Sequence, residues 1–511
     1  MDKNVIFDPA AQNPGNNTGE TVPEVIQGGE TTSVSASVDS ISTDATSTGV
    51  SPTDNSAEIQ SGDTTVQSAE VTPASLPPKT RGILKKIIIG VIVLIILVFI
   101  IFLIVPKGSG NKKVKLVWWG LWEDTRVMQP LISEFQKSNP NITIEYVKQD
   151  PKQYREKLLT RINNETGPDI FRFHNTWVPM MSDVLLPLPT DVISPNELKT
   201  DFYPVVQKDM TGNGAIYGIP LGADTLALFI NTELLESAGV SPPQTWDDFV
   251  KAASTLTVKD PDTKKILTAG AALGTYGNIT HAPDVISLLF IQQGISINKF
   301  PEASKDKKVA VLNFYTSFSK GDQRVWDSTL DESLLSFARG NLAMYIGFSW
   351  DIFKIQALSP DLAFKTYPVP QLVGRKSTLA SYWVEGVSSK SPNQKEALLF
   401  MQFLKKKETA QKFYSEVSKT RGFGEPYARS ELAKSLKEND LLFPFVSQLV
   451  DASSSYFASD TNDGEGGLNS SVNNYLGNAI NAIVNDNSST ETVIETLDQG
   501  VAQAYQKYGV Q

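Results

Sequence analysis

The chain has 511 residues, enough for two or three domains, with a formal net charge of −10, no cysteine and two histidines, His174 and His281. The missing cysteine excludes disulfides, thiolate metal sites and a cysteine-linked lipid anchor, and two histidines make a histidine-rich metal centre a poor expectation. An acidic chain is a weak polyanion binder, so nucleic acid is not an expected partner.

Residues 1–78 carry eleven acids against one base, Lys3, and one aromatic residue, Phe7, among Ser, Thr, Gly, Pro and Asn. Such a stretch cannot bury enough apolar surface to offset its ordering entropy, and 1–80 reads as a disordered acidic tail. Residues 87–105, IIIGVIVLIILVFIIFLIV, hold no charge. As a helix they would be close to 30 Å long, the thickness of a bilayer core. The run is long for a signal-peptide core, lies far into the chain and is not followed by a small-residue cleavage site. It reads as an uncleaved transmembrane anchor, 81–106, followed by a linker, 107–113. Lys79, Arg81, Lys85 and Lys86 precede the run, and Lys107, Lys112, Lys113 and Lys115 follow it. Equal flanking charge gives no orientation bias.

Strands are expected at 114–119, 142–147 and 169–173, with helices at 130–138 and 152–163 between them. This alternation predicts an α/β fold with a parallel sheet. In such sheets ligands bind beyond the carboxyl ends of the strands. Those ends hold Trp119, Trp122, Glu123 and Asp124 in one loop and His174, Asn175 and Trp177 in the other. Further on, 215–220 leads into an apolar strand at 224–231. Leu234 and Leu235 open a short helix, and Thr245 caps a helix over 246–256.

Residues 216–257, IYGIPLGADTLALFINTELLESAGVSPPQTWDDFVKAASTLT, resemble the central signature of the family 1 bacterial extracellular solute-binding proteins, the maltose-binding-protein-like group. Further similar stretches are FARGNLAMYIGFSWDI at 337–352, VSSKSPNQKEALLFMQFL at 387–404 and NNYLGNAINAIV at 473–484. The resemblance runs from about residue 114 to the C-terminus. It implies a two-lobed, type II periplasmic-binding-protein-like α/β fold with three crossings, near Asp224, Tyr382 and Gly424. Lobe one would comprise 114–224 and 385–424, and lobe two 225–384 and 425–511. The resemblance also implies a stacking tryptophan at Trp350 and a carboxylate for sugar hydroxyls at Asp224. It makes the loop of His174, Asn175 and Trp177 a ligand contact. Asn278 and His281 precede a lobe-two helix that often faces the cleft, though His281 serves equally well as a cap for that helix.

The tryptophans fit a sugar site on chemical grounds. A sugar presents C–H patches to an aromatic face and hydroxyls to neighbouring carboxylates and amides. Trp122 lies beside Glu123 and Asp124, Trp177 follows His174 and Asn175, Trp350 precedes Asp351, and Trp383 lies beside Tyr382 and Glu385. Core packing is the alternative for each, and the favoured reading for Trp118 and Trp246. No GxSxG, HExxH or P-loop motif occurs, so no catalytic residue, metal ligand or cofactor is assigned. DTNDGEGG at 460–467 has its glycine one place early for an EF-hand loop. Two features depart from the family pattern: the helical anchor with its tail, and 380–386, ASYWVEG, where a glycine-rich turn is usual. The expectation is a membrane-anchored receptor that closes on a carbohydrate and hands it to an ABC importer permease, its binding domain extracytoplasmic and its tail cytoplasmic. A membrane-anchored glycan-processing enzyme and a sugar-sensing ectodomain are the alternatives.

Overall fold

Residue type, periodicity and turn chemistry account for the strands of the fold, which we number in chain order. The computed structural model describes residues 90–95 and 113–510. The expected tail, the anchor apart from residues 90–95, and the linker apart from Lys113 lie outside the described residues. Residues 90–95 are helical, and no described helix is long and apolar enough to cross a membrane.

Apart from the short hairpin of Thr211–Gly212 with Ala215–Ile216, the strands are β1 (Val114–Gly120), β2 (Ile142–Lys148), β3 (Ile170–His174), β4 (Ile219–Pro220), β5 (Asp224–Thr225) and β6 (Ala227–Asn231). They continue as β7 (Val258–Lys259), β8 (Ile266–Ala271), β9 (Leu342–Gly347), β10 (Phe364–Pro368), β11 (Thr378–Ser381), β12 (Trp383–Val387) and β13 (Ala452–Ser453). One five-stranded sheet has the order β2-β1-β3-β12-β4 and a second the order β10-β6-β9-β8-β7. Strands β1, β2 and β3 run parallel, as the alternation with helices requires. Strand β12 then enters antiparallel to β3, so the first sheet is mixed rather than wholly parallel. The register across that pair sets Glu385 opposite Arg172 and Trp383 opposite His174.

Each sheet has its own apolar core. One draws on positions 116–223 and 380–417, the other on 226–379 and 423–505, with Ala410, Ala428 and Leu449 exchanged at the boundary. A two-lobed, type II periplasmic-binding-protein-like architecture results. A small third sheet, β13-β11-β5, lies where the chain passes between the cores. Here Thr225 pairs with Ala380 and Asp224 with Ser381, and the Leu226 amide donates to the Leu379 carbonyl at 3.0 Å. The strand expected over 224–231 therefore breaks at Leu226 into β5 and β6, which serve different sheets.

Local signals locate the elements well where burial agrees with them. Thr245 caps Trp246–Leu256, its hydroxyl accepting from the Asp248 amide at 3.2 Å. The helix expected to start at Pro130 begins instead at Thr125 and carries Pro130 inside it. Burial of Val127 and Met128 against the first core outweighs the preference of proline for a helix start.

Candidate functional site

A cavity of 380 Å³ is lined by residues of both cores. The first core contributes Trp122, Glu123, Arg172, Tyr382 and Trp383. Facing them are Trp350, Lys354, Asp460 and Asn462, which belong to segments packed on the second core. The crossing segments add Leu221, Gly222, Ala223, Asp224 and Ser381, with Phe413, Arg421 and Glu425 completing the lining.

Trp122, 40% exposed, meets Trp383 edge-to-face at 5.6 Å and 73°. Trp383 in turn rests edge-on against His174 at 5.1 Å and Trp177 at 5.5 Å. Two aromatic faces thus meet the cavity at a near-right angle, backed by buried rings. Beside them Arg172 is buried between two carboxylates. It pairs with Glu123, and its Nη2 lies 2.6 Å from Glu385 Oε1. Trp118 Nε1 donates to the other Glu385 oxygen at 2.7 Å, and Tyr146 donates to the Glu123 carbonyl at 3.0 Å. Gly120 leaves room for this arrangement, since a Cβ there would lie 2.1 Å from the Tyr146 hydroxyl. Burial alone would lower the Arg172 pKa, but the flanking carboxylates hold it well above its ordinary value. Burial pushes the Glu385 carboxyl up, against the pull of Arg172.

Opposite, Trp350 stacks on Phe348 at 4.3 Å and 14°. Its turn is held to the crossing segment by Asp224, whose carboxylate accepts from the Ser349 amide at 2.9 Å, the Ser349 hydroxyl at 2.6 Å and the Thr225 amide at 2.8 Å. Burial raises the Asp224 carboxyl to about 7 despite these donors. Behind the turn, His281 Nε2 lies 2.7 Å from Asp351 Oδ2, and its Nδ1 lies 2.9 Å from the Ser459 hydroxyl.

Six of the residues expected at the site line the cavity: Trp122, Glu123, Asp224, Trp350, Tyr382 and Trp383. Eight are placed elsewhere. Trp119 is buried under Lys157, whose Nζ lies 5.3 Å from its ring, and exposed Asp124 pairs with Lys148 at 3.1 Å. His174 is buried between Thr176 at 2.8 Å and Ser381 at 3.0 Å. Asn175 donates to Asp209 at 2.8 Å and accepts from the Tyr382 amide at 3.2 Å. Trp177 is fully buried behind Trp383. Asn278 is spent inside the second lobe, donating to the carbonyls of Asp327 and Leu330. His281 and Glu385 lie one layer behind the lining, on Asp351 and Arg172. The Asp463 carboxylate accepts from the Asn469 amide at 2.7 Å and the Ser470 hydroxyl at 2.6 Å, and so caps the helix Leu468–Val484.

Residues 119–411 match the family described as bacterial extracellular solute-binding protein. The chain belongs to this family. The multiple sugar-binding protein of Streptococcus mutans is 22% identical to it over 311 residues, 56% of this chain and 70% of that one. The mannitol-binding protein of Pseudomonas aeruginosa is 24% identical over 236 residues, 43% of this chain and 52% of its own. Among solved structures, a cyclo/maltodextrin-binding protein complexed with maltotetraose superposes with a TM-score of 0.62 at 21% identity, covering 78% of this chain and 99% of that one. A Listeria monocytogenes ABC substrate-binding protein in complex with cycloalternan gives 0.59 at 19%, covering 78% and 100%. These structural likenesses show the fold.

Sequence reasoning missed five charged members of this solute-binding protein's cleft: Arg172, Lys354, Arg421, Glu425 and Asp460. Arg172 had a readable signal, because a lone cation in the apolar strand IFRFH must find buried counter-charges. Arg421 and Glu425 pair one helical turn apart in sequence, and Arg421 lies 4.8 Å over the ring of Phe353. Lys354 had no signal, being one helix lysine among many.

The two histidines make a direct test of this layer. Burial lowers His174 to about 3, whereas His281 is raised to about 9, where Asp351 overrides the opposing effect of burial. Nitrogen NMR of histidine-labelled full chain should therefore show one neutral and one doubly protonated imidazole at pH 7. The His281 contribution to stability is complete below the unfolded value of about 6.5 and is lost as pH rises through the folded value. The melting temperature should fall on going from pH 7 to pH 9.5, and that fall should shrink in His281→Gln. Two imidazoles titrating together near 6.5 would contradict both placements.

Proposed function

We propose that this protein is a membrane-anchored, extracytoplasmic receptor that captures a carbohydrate by lobe closure and delivers it to the permease of an ABC importer. Lobe one would be 114–224 with 385–424, and lobe two 225–384 with 425–511. The run 81–106 would be the anchor, 107–113 its linker and 1–80 a cytoplasmic tail. The observation that carries the reading is the cleft itself. Trp122 and Trp383 face it from one core and Trp350 from the other, with Glu123, Asp224, Glu425 and Asp460 beside them. Stacking faces with neighbouring hydroxyl acceptors are what a sugar needs. The cleft volume of about 380 Å³ falls in the range of small-ligand pockets, roughly 300–1,000 Å³. The names of the relatives support the same ligand class.

Binding without turnover is favoured by how the carboxylates are engaged. Glu123 pairs with Arg172, Asp224 accepts from Ser349 and Glu425 pairs with Arg421. General acid–base hydrolysis needs two carboxyl groups free to exchange protons across the scissile bond.

A thermal-shift screen of hexoses, hexitols, disaccharides and maltooligosaccharides against the full chain should return a stabilising sugar, because a ligand of the folded state raises its melting temperature by mass action. The same sugar should compact the protein in small-angle scattering, since ligand favours closure only through contacts with both lobes. Recovery of cleaved sugar would turn the reading to an enzyme, and tight binding at constant radius to a rigid cleft. Protease added to intact cells should digest the binding domain and spare the tail; digestion of the tail alone would reverse the orientation.

A further inference from the structure

His281 is fully buried and does not line the cavity, yet it touches every segment that supplies the second wall. Its Nε2 reaches Asp351, the residue after Trp350 and the first of the helix Asp351–Leu358 that carries Lys354. Its Nδ1 reaches Ser459, in the loop that presents Asp460 and Asn462. Its ring meets Phe348 edge-on at 5.1 Å and Trp350 at 6.3 Å and 79°. Asp284, on the helix that His281 begins, accepts from the Ser459 amide at 3.0 Å and closes the circuit.

We propose that His281 is a positioning residue of the cleft, clamping the Trp350–Asp351 turn and the loop 459–462 onto one buried imidazole so that Trp350, Lys354 and Asp460 meet the ligand in fixed relation. This rests on the reading of the cleft given above. The charge arithmetic explains why an imidazolium suits the position. Asp351, Asp284 and Asp460 lie at 2.7, 4.0 and 3.9 Å from its nitrogens; the Tyr345 hydroxyl and Lys354 both donate to Asp351, and Tyr276 interacts with Asp284. Three carboxylates around one lysine would repel one another without a second cation. The doubly protonated ring donates from both nitrogens and supplies it.

The test reads Trp350 without any sugar. The full chain is labelled with 5-fluorotryptophan, and the Trp350 resonance among the eight is assigned with Trp350→Phe. Raising the pH from 7.5 to 10 should shift the Trp350 resonance along with deprotonation of His281, while Trp246 and Trp326, buried in the second core, stay in place. His281→Gln should abolish the shift. His281→Leu should displace the Trp350 resonance at every pH; should that variant fail to fold, the wild-type and His281→Gln titrations still decide. A Trp350 signal that ignores His281 deprotonation, or one that moves only together with Trp246 and Trp326, overturns the proposal. Neither result depends on which sugar binds, so failure here leaves the reading of the cleft intact, and an empty sugar screen leaves this result intact.

Discussion

Arg172→Met is expected to lower the stability of the folded protein by about 3–5 kcal/mol, the range seen when one partner of a buried ion pair is removed. Arg172 is the only cation bonded to Glu123 and Glu385 among the described residues, and all three side chains are almost wholly buried. Without it, both carboxylates must ionise in a low-dielectric site or take up a proton. Glu385, already raised by burial, would protonate first. The loss should therefore be smaller at pH 5 than at pH 8, because the protonated carboxyl no longer carries an unpaired charge. Chemical denaturation at the two pH values measures this directly. Pairing the change with Glu385→Gln should recover part of the loss, as it removes one orphaned charge. A single variant that unfolds at the wild-type midpoint at pH 8 would mean the triad contributes no net stability.

Trp122→Ala combined with Trp350→Ala should abolish measurable sugar binding while leaving the melting transition of the ligand-free protein close to wild type. Each change removes a stacking face worth about 1–3 kcal/mol. The two residues sit on opposite walls, so their losses should add. Either variant alone should weaken binding by about ten- to a hundredfold, and the pair by about a hundred- to ten-thousandfold. Trp122 is 40% exposed and Trp350 is partly exposed, which separates them from Trp177, whose removal would open a cavity in the first core. Affinity is read by titration with the sugar found in the thermal-shift screen, and compaction by scattering. An unchanged affinity in Trp350→Ala would make that ring a packing residue resting on Phe348. A collapse of the ligand-free transition would do the same.

The residues by themselves determined a good deal. Apolar alternation, the Thr245 cap and the motifs from 216 to 484 were enough to predict an α/β fold of the solute-binding kind, because these signals are local. The aromatic and acidic loop at the end of β1 was also legible and supplies Trp122 and Glu123 to the cleft, whereas His174, Asn175 and Trp177 at the end of β3 lie outside the lining, and Trp383 enters from the start of β12. Which of the expected groups touch the cavity was decided only by the tertiary structure. His174 and Glu385 share strands with the cleft residues Arg172 and Trp383 but lie deeper along the same face, and Trp177, in the 3-10 turn Asn175–Trp177, is buried behind Trp383. Along a strand, adjacent side chains point to opposite faces, and along one face their depth below the surface varies, so nearness in sequence to a site residue says little about contact with ligand. Arg172 and Glu385 are 213 positions apart and meet because β12 lies antiparallel on β3. His281 and Asp351 meet across 70 positions because the starts of two helices converge on one buried point. Such pairings depend on long-range packing, which local composition and periodicity do not encode.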